Sequence, residues 1–96
     1  LKVTLVGSRY FGTAALEVLR KQGVDIARVV VPQADDRLAA AAAAAGIEVL
    51  VLEDPMLVPA KAIADGTDLI VTAHAHARVS SEALARSRLG GIGYHP

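Results

Sequence analysis

Short apolar runs alternate along the chain with segments of helical period. Val3-Thr4-Leu5-Val6 is a largely β-branched run that stops at Gly7, so it predicts a strand closed by a tight turn. From Phe11 to Gln22 the pattern changes, with Ala14, Ala15, Val18 and Leu19 at helical spacing before Gly23, a natural helix terminator. Ile26 to Val31 is almost continuously apolar and is closed by Pro32, as expected of a strand buried on both faces of a parallel sheet. Asp35 or Asp36 can cap a helix from Arg37 to Ala45, which Gly46 ends. Glu48 to Leu52 reads as a third strand broken by Asp54-Pro55, and Pro59 to Ala64 as a short helix. Gly66-Thr67 opens a fourth strand over Asp68 to Thr72. Ser80 or Ser81 then caps a helix through Arg86, with Glu82 in its first turn, and Gly91 to Tyr94 is a fifth strand.

Strands and helices that alternate in this way predict an α/β, Rossmann-like, doubly wound parallel sheet, most simply with its strands in the spatial order 3-2-1-4-5. No internal repeat or flexible linker marks a second domain, so residues 1–96 are read as one small domain or part of one. A chain of this size buries about 60–65% of its unfolded surface, which makes its core modest.

Composition narrows the picture without changing it. Hydrophobic residues make up 53% of the chain, too many for a disordered segment, while charged residues interrupt every apolar stretch before it reaches membrane-spanning length. Lys plus Arg equals Asp plus Glu at ten each, so a phosphate-bearing partner would have to be held locally. The absence of cysteine excludes disulfides, thiolate metal sites and a cysteine nucleophile. Leu1-Lys2-Val3 leads directly into a strand without a signal-peptide pattern, so the cytoplasm is the expected compartment, with no membrane partner. The seven alanines Ala39 to Ala45 carry no chemistry and read as a thin helix that allows close backbone approach.

Three constellations could carry function. In an open α/β sheet, ligands collect at the carboxyl ends of the strands, and each constellation follows such an end. The turn Gly7-Ser8-Arg9-Tyr10-Phe11-Gly12 places backbone N–H groups and the Ser8 hydroxyl at a helix start. It has neither the central glycine of a dinucleotide fingerprint nor the lysine of a Walker A loop, which leaves a structural turn, a small-anion or acceptor contact, and NAD binding all open. The second constellation is His74-Ala75-His76, with Arg78 close behind. In an extended segment, residues i and i+2 share a face, so His74, His76 and His95 could converge. Three imidazoles can form a zinc site, but no carboxylate to orient them is evident nearby, and no metal is expected. The third is Tyr94-His95-Pro96, an imidazole at a strand end.

Taken together, Gly7-Ser8-Arg9-Tyr10-Phe11-Gly12, Asp68-Leu69-Ile70-Val71-Thr72-Ala73 and Tyr94-His95-Pro96 resemble the amino-terminal half of the 10-formyltetrahydrofolate-dependent formyltransferase family. This family includes methionyl-tRNA formyltransferase, glycinamide ribonucleotide formyltransferase and the hydrolase domain of 10-formyltetrahydrofolate dehydrogenase. The resemblance implies that His95 is the catalytic histidine, polarising the formyl carbonyl or stabilising the oxyanion formed on attack. It also implies that Thr72, Ala73, His74, Ala75, His76, Arg78 and Val79 line the pteridine pocket of the folate cosubstrate, largely through backbone groups. Gly7, Ser8, Arg9 and Tyr10 would face the acceptor, a tRNA-borne or small amine, or water.

Gly93 stands where the family's transferases usually have asparagine, two residues before the histidine, so one donor to the oxyanion is missing. Tyr-His-Pro is closer to the hydrolase domain, which favours water as the acceptor. The resemblance further implies a Ser-Leu-Leu-Pro continuation and a catalytic aspartate beyond Pro96. Residues 1–96 alone are therefore expected to be inactive and to self-associate through the uncovered fifth strand. A non-catalytic ligand-binding module on the same scaffold is the alternative from another class.

Overall fold

The computed structural model describes residues 1–94 and contains, in chain order, β1 (Lys2–Gly7), α1 (Arg9–Lys21), β2 (Asp25–Val31), α2 (Arg37–Ala44), β3 (Val49–Val51), β4 (Leu57–Val58), a 3-10 turn (Ala60–Ala62), β5 (Leu69–Ala73), β6 (Arg78–Val79), α3 (Ser81–Ala85) and β7 (Gly91–Tyr94). Five of the strands form one parallel sheet in the order β3-β2-β1-β5-β7, which is the expected 3-2-1-4-5 order with β1 central. The chain runs outward from β1 to β3, crosses back to β5 beside β1 and then runs outward to β7. The result is a Rossmann-like doubly wound α/β fold.

Alternation along the strands divides the core in two. Val3 and Leu5 on β1, with Val29 and Val31 on β2, face Leu16 of α1 and Leu38, Ala39 and Ala42 of α2. Val6, Val30 and Ile70 face the opposite way, onto Val58, Ala62, Ile63 and Ala83. Strands buried on both faces read as continuous apolar runs, which is why β2 was visible in the sequence. The alanine run places Ala39 and Ala42 inward, and these small side chains bring α2 close to the sheet.

Helix ends follow local chemistry. Asp36 caps α2 by accepting from the Leu38 amide at 2.9 Å, and Ser80 caps α3 by accepting from Ala83 at 3.0 Å. Gly23 and Gly46, each with φ of 74°, supply the left-handed residue that turns the chain after α1 and α2. A polar network lies in the core. The Thr67 hydroxyl donates to the Ala64 carbonyl at 2.6 Å, so the Thr4 hydroxyl donates to Thr67 at 2.7 Å and accepts from the Ala64 amide at 3.3 Å.

The crossover from β3 to β5 differs from the sequence expectation. The helix expected over Pro59 to Ala64 is a single 3-10 turn, and two short segments on either side of β5 pair as a separate parallel sheet, Leu57 with Arg78 and Val58 with Val79. Two-residue strands have no readable period, so nothing local announces them. No helix among the described residues is long and apolar enough to cross a membrane. An apolar cleft of about 310 Å³ lies open between α1 and β5, lined by residues that include Phe11, Val18 and Val71.

Two glycines set how closely the layers approach. A Cβ at Gly7 would stand 2.8 Å from the Ala73 carbonyl oxygen, which is backbone, whereas one at Gly12 would stand 2.8 Å from Cδ2 of the Leu38 side chain. Backbone in a central strand cannot retreat as a side-chain terminus can. Gly7→Ala is therefore expected to cost about 1–3 kcal/mol of unfolding free energy, and Gly12→Ala less, because alanine's helix propensity offsets part of its strain. Urea denaturation of both variants checks this order, and equal losses would contradict it.

Candidate ligand site at the carboxyl edge of the sheet

The register of the central strands aligns their carboxyl ends. Gly7 pairs with Ala73, and Ala73 pairs with Tyr94, so β1, β5 and β7 end level with one another. The turn after β1 and the segment after β5 therefore leave the sheet side by side. His95, the catalytic residue implied by resemblance, lies outside the described residues, as does Pro96.

Contact between these two segments is direct. The buried Ser8 hydroxyl donates to the His74 carbonyl at 3.3 Å, across 66 positions of sequence. Each segment also carries a non-glycine residue in the left-handed region, Arg9 at φ 57° and His74 at φ 54°. Such residues cost roughly 1–3 kcal/mol and persist where their surroundings hold them. Ser8 anchors the carbonyl of His74. The imidazole of His74 packs 6.3 Å from the Phe11 ring and 5.3 Å, edge-on, from that of His76.

Arg9 is held by Asp36. One carboxylate oxygen, Oδ1, accepts from the Arg9 amide at 2.8 Å and from the Leu38 amide at 2.9 Å. A single negative charge thus joins the amino ends of α1 and α2, where both helix dipoles favour it.

Between these parts lies a cavity of about 260 Å³. Val6, Val30 and Leu52 are its buried apolar part, while Ser8, Arg9, Gln33, Asp36 and His76 bring polar groups to it. The lining is mixed, polar and apolar in nearly equal measure, and the volume falls just below the range of about 300–1,000 Å³ typical of drug-sized ligands. A shallower polar groove adjoins the cavity, lined by Arg9, Tyr10, Gln33, Asp35, Asp36 and Arg37.

The residues singled out in the sequence divide accordingly. Gly7, Ser8, Arg9, Ala75 and His76 line the cavity, and Tyr10 lines only the outer groove. Ala73 is buried beside Gly7 in the sheet, with its side chain in the core on the α1 side, His74 presents its carbonyl to Ser8, and the Thr72 hydroxyl donates to the Ile92 carbonyl at 3.5 Å. Arg78 and Val79 are drawn away into the small sheet with Leu57 and Val58. Sequence reasoning missed Gln33 and Met56 as lining residues, and took Asp36 only as a cap. Gln33 follows Pro32 at the carboxyl end of the second strand, so the strand-end rule that selected the other segments could have found it.

Among the described residues, no group of three or more His, Cys, Asp or Glu is placed to hold a metal ion. No protein-family model matches the chain, and no curated protein matches it.

The left-handed backbone at position 74 gives a direct test. Glycine adopts this conformation freely, while a β-branched residue there is a genuine outlier. His74→Gly is expected to stay within about 1 kcal/mol of the parent stability, and His74→Val to lose about 1–3 kcal/mol. Equal losses in chemical denaturation would show that the imidazole, rather than the backbone, is what position 74 requires.

Proposed function

We propose that the chain is the amino-terminal, ligand-holding part of a 10-formyltetrahydrofolate-dependent formyltransferase or hydrolase. One observation carries this reading. The two segments that the resemblance assigns to acceptor and folate, Gly7 to Tyr10 and Thr72 to Val79, are hydrogen-bonded to each other and contribute to one cavity at the carboxyl edge. The volume and lining of that cavity support a pteridine-sized ring, with the rest of the folate running outward.

In the proposed reaction, an amine or water attacks the formyl carbon, and the carbonyl oxygen takes up negative charge. His95 stabilises that charge. The bond between the formyl carbon and N10 then breaks, N10 receives the proton that the attacking amine or water gives up, and the products are tetrahydrofolate with either a formylated amine or formate. Ala75 and His76 orient the ring, and Ser8 holds the His74 carbonyl at the junction of the two segments. Gly93 brings no side-chain donor to the oxyanion, and this departure from the transferases, with Tyr94-His95-Pro96, is closer to the hydrolase domain, whose acceptor is water.

The test is turnover of 10-formyltetrahydrofolate by the protein that carries this chain, with His95→Ala as the variant. An imidazole acting on charge that develops in the transition state should show its loss in kcat, by roughly 10²–10³-fold, while the dissociation constant for the folate changes little. Unchanged turnover would leave only a folate-binding module. Absence of folate binding to the parent protein would overturn the reading altogether.

A further inference from the structure

We propose that Asp36 is a specificity-determining residue, whose carboxylate stands where a phosphate would otherwise sit at the amino end of α1 and closes the turn after β1 to phosphate-bearing ligands. The inference deepens the proposed function on its acceptor side, and rests on that reading only in calling the excluded ligand an acceptor.

Phosphate sites in folds of this kind use backbone N–H groups at the start of the first helix, where the helix dipole also favours negative charge. Here the Arg9 amide already donates to Asp36 Oδ1 at 2.8 Å. That same oxygen caps α2 through Leu38 at 2.9 Å, so the cap holds the carboxylate in place against the Arg9 amide, where a phosphate would have to displace it. Asp36 also lines the cavity itself, where a phosphate would meet it as a like charge. Across the adjoining groove, Arg9 and Arg37 are matched by Asp35 and Asp36, which leaves no net positive charge to outweigh that repulsion. The group that meets this turn is therefore one without negative charge, such as an amine or a water.

The experiment is a titration of the ¹⁵N-labelled protein with inorganic phosphate at fixed ionic strength, following the amides of Arg9 and Leu38. The parent protein is expected to show no saturable shift at either. Asp36→Ser can still cap α2, as Ser80 caps α3, but its shorter side chain withdraws from Arg9 and removes the charge. It is expected to bind phosphate saturably at concentrations roughly tenfold or more below any at which the parent responds, with the Arg9 amide among those shifted. Saturable binding to the parent at the Arg9 amide, or no gain in an Asp36→Ser protein with native helix content, would overturn the proposal. If the serine variant does not fold, Asp36→Asn keeps an oxygen for the cap and removes the charge alone. It should also bind phosphate more tightly than the parent, and equal affinity would overturn the proposal. No folate enters the titration, so its outcome is independent of the formyl-transfer reading.

Discussion

A methyl group at Gly7 would stand 2.8 Å from the Ala73 carbonyl oxygen, so the ends of β1 and β5 meet as they do because Gly7 has no side chain. This contact lies at the point where the chain, having run outward through β2 and β3, returns to the other side of β1. Doubly wound sheets open a crevice there, because the segments leaving the two neighbouring strands belong to opposite layers. In this protein the crevice is narrow. Its two sides are joined by the Ser8 hydroxyl on the His74 carbonyl, and it holds about 260 Å³.

Around that contact, polar groups are placed by backbone geometry more than by side-chain reach. Arg9 and His74 both adopt left-handed conformations, and each is held from across the fold, Arg9 through its amide by Asp36 and His74 through its carbonyl by Ser8. Strain of this kind, distributed over two segments that also line a cavity, is typical of ligand sites. Asp36 adds rigidity by serving two helices with one oxygen. A displacement of α2 would therefore move the turn after β1.

The strands of the main sheet, their order and the caps at Asp36 and Ser80 were legible in the sequence because each depends on local chemistry: apolar runs bounded by Gly or Pro, and short polar side chains before helical periods. The small sheet of Leu57–Val58 and Arg78–Val79 was not, since two residues carry no period and their pairing depends on how the crossover folds back. The site was legible by position and hidden in detail. Strand ends pointed to the Gly7 turn and to the segment after Ala73, but the bond from Asp36 to the Arg9 amide spans 27 positions and exists only once α1 and α2 are packed. His74 was read as extended, its face shared with His76, because nothing in a histidine's identity marks a positive φ.

The account depends on the Gly7 to Tyr10 turn and the Ala73 to Val79 segment forming one ligand site rather than two unrelated loops. A map of backbone amide shifts during titration with 10-formyltetrahydrofolate tests this most directly. The account predicts saturable changes in both segments with one common dissociation constant. Changes confined to one segment, or centred elsewhere on the fold, would contradict it.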